Sequence, residues 1–258
     1  MMKGAEPIFI DKKSKVGVLM IHGFSSTPDE FRELSAYLAG KGFTVSAPLL
    51  AGHGTKPEDM LNTNAFDWAG SVEKAYLEIK KKSEKIFLVG NSFGSDLAFW
   101  LTEKYCNEPL GVISLGAPVF LRSHTFMVLR IYTYGLVKKF YRKPVRLYRT
   151  DYTDSLDEVT YSKIPIKSVR QFLRFIKTNV RPILCKINVP TLVVHSDNDR
   201  VIHPRSATYI YERLGSSLKR IYWFRSRYHV SIDDKNRDEL FAKILDFIKE
   251  SIKDSQNV

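Results

Sequence analysis

Short apolar runs rich in Val, Ile, Leu and Phe, at 16–21, 43–45, 86–89, 112–115, 191–194 and 221–224, alternate with stretches at helical spacing. A strand that is apolar at nearly every position has no solvent face, so it belongs in a parallel sheet covered by helices on both sides. Strands and helices alternating through one continuous array predict an α/β fold: a mostly parallel central sheet flanked by helices. Residues 7–11 are expected to add an edge strand.

The helices are marked at their ends. Thr27-Pro28-Asp29-Glu30 reads as a capping box with Pro at the first helical position. It is expected to open a helix that carries Phe31, Leu34 and Leu38 on one face and stops at Gly40. Residues 65–82 hold Phe66, Ala69, Val72 and Tyr76 at helical spacing, and 204–214 and 240–252 complete the set.

Composition rules out several classes. No stretch of about 18 uncharged apolar residues is present, so no transmembrane helix is expected. The N-terminal residues lack the apolar core of a secretory leader. Two cysteines, Cys106 and Cys185, make neither a disulfide framework nor a zinc motif. A cytoplasmic setting is the expectation.

The sequence places chemistry at the ends of the strands. Residues 86–89 run straight into Gly90-Asn91-Ser92-Phe93-Gly94, with Leu97, Ala98 and Leu101 in helical register behind. Strand, tight turn and helix are the context in which G-x-S-x-G lifts a serine above the sheet as a nucleophile. Acyl transfer also needs two N–H groups aimed at the developing oxyanion. Phe93, after the serine, is one expected donor, and Phe24, in the loop after 18–21, is the other. His22, beside Phe24, is read as a loop-bonding residue and His53 as loop architecture; His124 is unassigned.

A base and an acid must follow the serine in the order acid, then His. Two acids leave the 191–194 strand: Asp199, deeper in the loop, is the expected triad member, and Asp197 the expected turn former. His229 follows the last strand at the same sheet edge and is the expected base. His195, Asp199 and His203 are not read as a metal set. The triad needs no metal or organic cofactor.

Residues 119–181 break the alternation. This segment is expected to be a small, mostly helical cap over the sheet, dividing the core into 1–118 and 182–258. Phe120, Phe126 and Tyr132 are among its expected acyl-pocket residues, with packing of the same apolar face against the sheet as the alternative. It carries 14 Lys/Arg against 4 Asp/Glu, which accounts for +10 of the chain's net +12. A charge confined to one segment without a nucleic-acid motif does not indicate a nucleic-acid partner. A solvated helical surface with no partner is one reading of this charge, and weak contact with an anionic membrane through the cap is the alternative.

His22-Gly23-Phe24-Ser25-Ser26, Ala47-Pro48-Leu49-Leu50-Ala51-Gly52-His53-Gly54 and the elbow together resemble the compact α/β-hydrolases that include microbial carboxylesterases and monoacylglycerol lipases. The acid loop before Pro204 and residues 223–229 match as well. The resemblance implies nucleophile Ser92, acid Asp199, base His229, oxyanion donors Phe24 and Phe93, and a helical cap where this chain has its basic insertion. Tyr228 and Ser95 stand where such proteins usually have Gly. The implied activity is hydrolysis of a small carboxylic ester with an apolar acyl chain. A thioesterase, another Ser-His-Asp hydrolase, or a non-catalytic ligand- or membrane-binding module are the alternatives.

Overall fold

The computed structural model describes residues 1–122, 131, 133, 138–142, 160–225, 229 and 237–255. Among them, seven strands form one sheet: β1 (Ile8–Ile10), β2 (Val16–Ile21), β3 (Thr44–Ala47), β4 (Lys85–Asn91), β5 (Gly111–Leu115), β8 (Thr191–Ser196) and β9 (Lys219–Phe224). Their order is β1-β3-β2-β4-β5-β8-β9. β1 runs antiparallel to β3 at one edge, and every other neighbouring pair is parallel.

The central strands are apolar on both faces because both are covered. Leu19, Ile21 and Leu88 point into a core with α2 (Ala65–Lys80) and α3 (Phe93–Lys104). Val18, Met20, Phe87 and Val89 point into a second core with α1 (Arg32–Gly40) and α6 (Arg237–Asp254). Each fully buried aliphatic or Phe side chain contributes about 1.5–3 kcal/mol, so both faces hold the parallel register. α5 (Arg205–Arg213) follows β8 and packs on the first core.

Two local expectations are corrected. Thr27 makes no side-chain cap: Pro28–Phe31 is a 3-10 turn leading into α1, and the Glu30 carboxylate turns away to the loop after β2. The reciprocal capping box lies instead at Asn64 and Asp67, at the start of α2. Phe66 is 61% exposed, because the buried face of α2 is set by Trp68, Val72, Tyr76 and Ile79.

Between β5 and β8 the described part of the insertion holds more than helix. A two-stranded antiparallel ribbon pairs β6 (Phe140–Arg142) with β7 (Lys163–Pro165). It leads into α4 (Ile166–Phe175), a π turn (Ile176–Val180) and a 3-10 turn (Arg181–Lys186). Strands of three residues are too short to show an alternation in sequence, so the ribbon was not expected. Phe126, Tyr132 and His124 lie outside the described residues.

Candidate active site

Parallel strands deliver their loops to one edge of the sheet, and the candidate residues sit at that edge. Ser92 stands between β4 and α3 with φ of 51°, a left-handed backbone rare for a side-chain-bearing residue. The flanking glycines make this turn feasible. A Cβ on Gly90 would lie 2.3 Å from the backbone of Gly94 and Ser95, and one on Gly94 would lie 1.9 Å from the Ile21 carbonyl oxygen. Ser92 N–H donates to the Leu115 carbonyl at 2.7 Å, which ties the turn to β5. Ser95 is buried, and its hydroxyl donates to the Gly90 carbonyl at 2.7 Å, bracing the elbow from inside.

Asp199 is fully buried in the loop after β8. Its Oδ1 accepts the Val201 and Ile202 N–H groups at 2.7 and 2.9 Å. Its Oδ2 accepts from His229 Nδ1 at 2.7 Å. Burial pushes the Asp199 carboxyl up, but the His229 ring and the two N–H groups outweigh it and hold the pKa below the usual carboxylate value. Asp199 is therefore ionised and accepts, so Nδ1 of His229 is the donor in this contact and Nε2 is the ring nitrogen turned away from the acid. That Nε2 is buried and has no hydrogen-bond partner among the described residues, Ser92 included, so the serine–base contact is not made without substrate. Asp197 is exposed.

A second histidine lies near the acid. His195 Nε2 is 3.9 Å from Asp199 Oδ2. Burial pushes its pKa down to about 4 against the opposing pull of Asp199, so the ring is neutral at pH 7 and does not draw the Asp199 charge away from His229. His203 is exposed. Among the described residues, no three His, Cys, Asp or Glu side chains are grouped to hold a metal ion.

The loop after β2 is held by its histidine, as expected. His22 Nδ1–H donates to the Gly23 carbonyl at 2.9 Å, and Nε2 accepts Leu50 N–H at 3.0 Å. Burial, with His53 beside it, pushes its pKa down to about 3. With both nitrogens committed and the ring neutral, His22 is no rival base. His53 Nδ1–H donates to the Ala51 carbonyl at 3.0 Å.

Glu30 and Arg122 were not singled out from sequence. Glu30 accepts Gly23 N–H at 2.8 Å and the Ser26 hydroxyl at 2.7 Å, clamping the loop that carries Phe24. Arg122 Nε donates to the Asp199 carbonyl oxygen and fixes the acid loop from the first residues of the insertion. The signal for Glu30 was its spacing from Gly23, which the capping-box reading absorbed. Arg122 had no local signal. Phe120 is half-buried, its ring edge-on to Tyr209 at 4.9 Å and flanked by the Arg181 and Arg205 guanidiniums.

One buried acid lies outside this network. Asp96, in the first turn of α3, is fully buried, and neither carboxyl oxygen has a hydrogen-bond partner among the described residues. Burial raises its pKa well above the ordinary value. The folded protein thus holds this proton more tightly than the unfolded chain. Its favourable contribution is complete below about pH 4 and is lost as pH rises through the folded pKa. Asp96→Asn, which cannot ionise, should gain stability relative to the parent as the pH rises from 5 to 8. Urea unfolding at both pH values checks this; an equal difference at the two would contradict it.

The chain has relatives among known proteins. The family model described as serine aminopeptidase, S33 (Hydrolase_4) matches residues 12–236. A thermostable monoacylglycerol lipase of Bacillus sp. (strain H-257) is 32% identical over 247 residues, covering 95% of each chain. A carboxylesterase of Bacillus subtilis (strain 168) is 28% identical, covering 93% of this chain and 95% of its own. A structure from work on LipS and LipT, two metagenome-derived lipolytic enzymes, superposes with a TM-score of 0.87 at 25% identity, covering 97% of this chain and 99% of the other. A monoacylglycerol lipase from Paleococcus ferrophilus shares the fold at a TM-score of 0.78 and 20% identity, covering 95% and 98%. With its parallel sheet, its strained serine turn and its match over most of the sequence, the chain belongs to this serine aminopeptidase, S33 (Hydrolase_4) family of α/β-hydrolases.

Proposed function

We propose that this serine ester hydrolase cleaves small carboxylic esters with apolar acyl chains, monoacylglycerols among them, through an acyl-enzyme on Ser92. The observation that carries the reading is the Asp199–His229 pair: a buried carboxylate on Nδ1 and an unengaged, buried Nε2, at the sheet edge where Ser92 stands. His229 takes the Ser92 proton as the hydroxyl attacks the ester carbonyl, and Asp199 holds the ring in the required tautomer. The Phe24 and Phe93 N–H groups hold the oxyanion. The leaving alcohol takes the proton from His229, and a water activated by the same base cleaves the acyl-enzyme. The names of the Bacillus relatives support the substrate class.

In this reading residues 119–181 cap the site, with Phe120, Phe126 and Tyr132 on the acyl side. p-Nitrophenyl esters from acetate to palmitate, with monoacylglycerols, an acyl thioester and an aminoacyl p-nitroanilide alongside, test the class. Ester turnover peaking at a medium chain length, with monoacylglycerol cleaved, is expected. Turnover of the thioester or the anilide alone would overturn it.

The same segment supports a lipid-surface contact. Between Glu158 and Asp197 the chain has no acidic residue, and Lys167, Arg174 and Lys177 are exposed along α4 and the π turn that follows. Each cation near an anionic bilayer contributes about 1 kcal/mol, within a Debye length of about 10 Å at 0.1 M salt. Co-sedimentation with anionic vesicles at low salt that fades at high salt is expected. Equal recovery with neutral vesicles, or none at low salt, would contradict the contact. No helix among the described residues is long and apolar enough to cross a membrane. The exposed, unbridged Cys106 and Cys185 support a reducing, cytoplasmic setting.

A further inference from the structure

The inner face of α4 meets the two residues whose N–H groups are assigned to the oxyanion. The Phe172 ring stacks on Phe24 with centroids 4.9 Å apart and planes 20° apart, and it meets the Phe93 ring at 5.2 Å and 67°. The Phe24 and Phe93 rings are themselves edge-to-face at 6.1 Å. Trp68 closes the group from α2, 5.3 Å from Phe24 and 5.8 Å from Phe93. Phe172 is 7% exposed and Phe93 not at all.

The helix that delivers Phe172 is fastened to the core. The Ser168 hydroxyl donates to the Met60 carbonyl at 3.0 Å, and the Gln171 side chain accepts Ala65 N–H at 3.0 Å. The insertion grips the same loop a second time, where Tyr161 N–H donates to the Ser25 carbonyl at 3.1 Å. Ser25 has φ of 62°, so the loop just past Phe24 sits in a backbone state that needs outside support. Glu30 holds this loop from the core side. Phe172 and Tyr161 hold it from the insertion.

We propose that Phe172 is a positioning residue for ester hydrolysis, fixing Phe24 and Phe93 so that their N–H groups converge on the developing oxyanion. This rests on the assignment of those two donors. The insertion is then part of the scaffold of the oxyanion site as well as its cover. Stacked and edge-to-face aromatic pairs have preferred geometries, so a flat face at 172 sets the angle of Phe24 in a way that an aliphatic chain of similar size does not. A displacement of about 1 Å in a catalytic group costs about 100-fold in rate.

The test uses p-nitrophenyl acetate, whose acyl group is too short to need a distal pocket, with the octanoate beside it. Phe172→Ala and Phe172→Leu should lower kcat on acetate by about 10–100-fold and leave KM within about threefold. A boronic acid, whose tetrahedral adduct on serine places an oxygen in the oxyanion position, should bind more weakly by about the same factor as kcat falls. Phe172→Tyr, which keeps the ring face, should stay within about threefold of the parent on all three readings. The Leu variant keeps most of the volume and carries the test if the Ala variant does not fold. A loss that grows from acetate to octanoate makes Phe172 an acyl-pocket wall and overturns the proposal. A lowered Tm with kcat and boronate affinity unchanged makes it core packing and overturns it equally. Ser92→Ala, assayed in parallel, separates the levels. If that variant keeps its activity, the site reading fails and this proposal with it; if it is inactive while the Phe172 variants turn over acetate normally, this proposal alone fails.

Discussion

Ser92→Ala is expected to lower ester turnover by about 10⁴–10⁶-fold while leaving the fold and most substrate binding intact. The size follows from what the hydroxyl does. Without it, His229 has no alcohol to deprotonate and no acyl-enzyme forms, so only the oxyanion donors and binding remain to assist attack by water. The same substitution relieves little strain, because Ala at 92 keeps the left-handed backbone that Gly90 and Gly94 make room for. Thermal unfolding within a few degrees of the parent should therefore accompany the loss. Retention of more than about a tenth of the parent kcat/KM would remove Ser92 from the mechanism.

Asp199→Asn is expected to lower kcat by about 10⁴-fold, again with the fold retained. Asn keeps an oxygen for the Val201 and Ile202 N–H groups, so the loop after β8 stays closed. Its amide nitrogen, however, replaces the oxygen that faces His229 Nδ1 at 2.7 Å. Two donors cannot share that contact, so Nδ1 becomes the acceptor, Nε2 takes the proton, and the base is lost. Asp197→Asn is the control: Asp197 is exposed, and its change should stay within about 1 kcal/mol in stability and a fewfold in rate. Kinetics of the two variants side by side decide the assignment, and a larger loss at Asp197 than at Asp199 would reverse it.

The sheet and the candidate triad were legible because their signals are local. An apolar run marks a strand buried on both faces, and a loop at its carboxyl end marks the site edge, so Ser92, Asp199 and His229 follow from order along the chain. Asp199 separates from Asp197 by depth in the loop, and the structure gives that depth a form in the two N–H groups on Oδ1. What was not legible depends on contacts between distant segments. Thr27 to Glu30 satisfies the pattern of a capping box, yet the Glu30 carboxylate has stronger partners at Gly23 and Ser26. Phe66 fits a helical repeat, but Trp68 and its neighbours decide which face of α2 turns inward. The ribbon of β6 and β7 is three residues per strand and rests on pairing across the insertion. The apolar stripe of α4 was visible as a period, but its meeting with Phe24 and Phe93 exists only once the chain returns from β7.

The central claim, a covalent acyl-enzyme on Ser92, is tested most directly by a serine-directed fluorophosphonate followed by peptide mass spectrometry. The expected result is one adduct per chain, on the peptide containing Ser92, with ester turnover lost in step with labelling and no adduct on Ser92→Ala. Full labelling at another residue, or turnover that survives complete labelling of Ser92, would contradict the account.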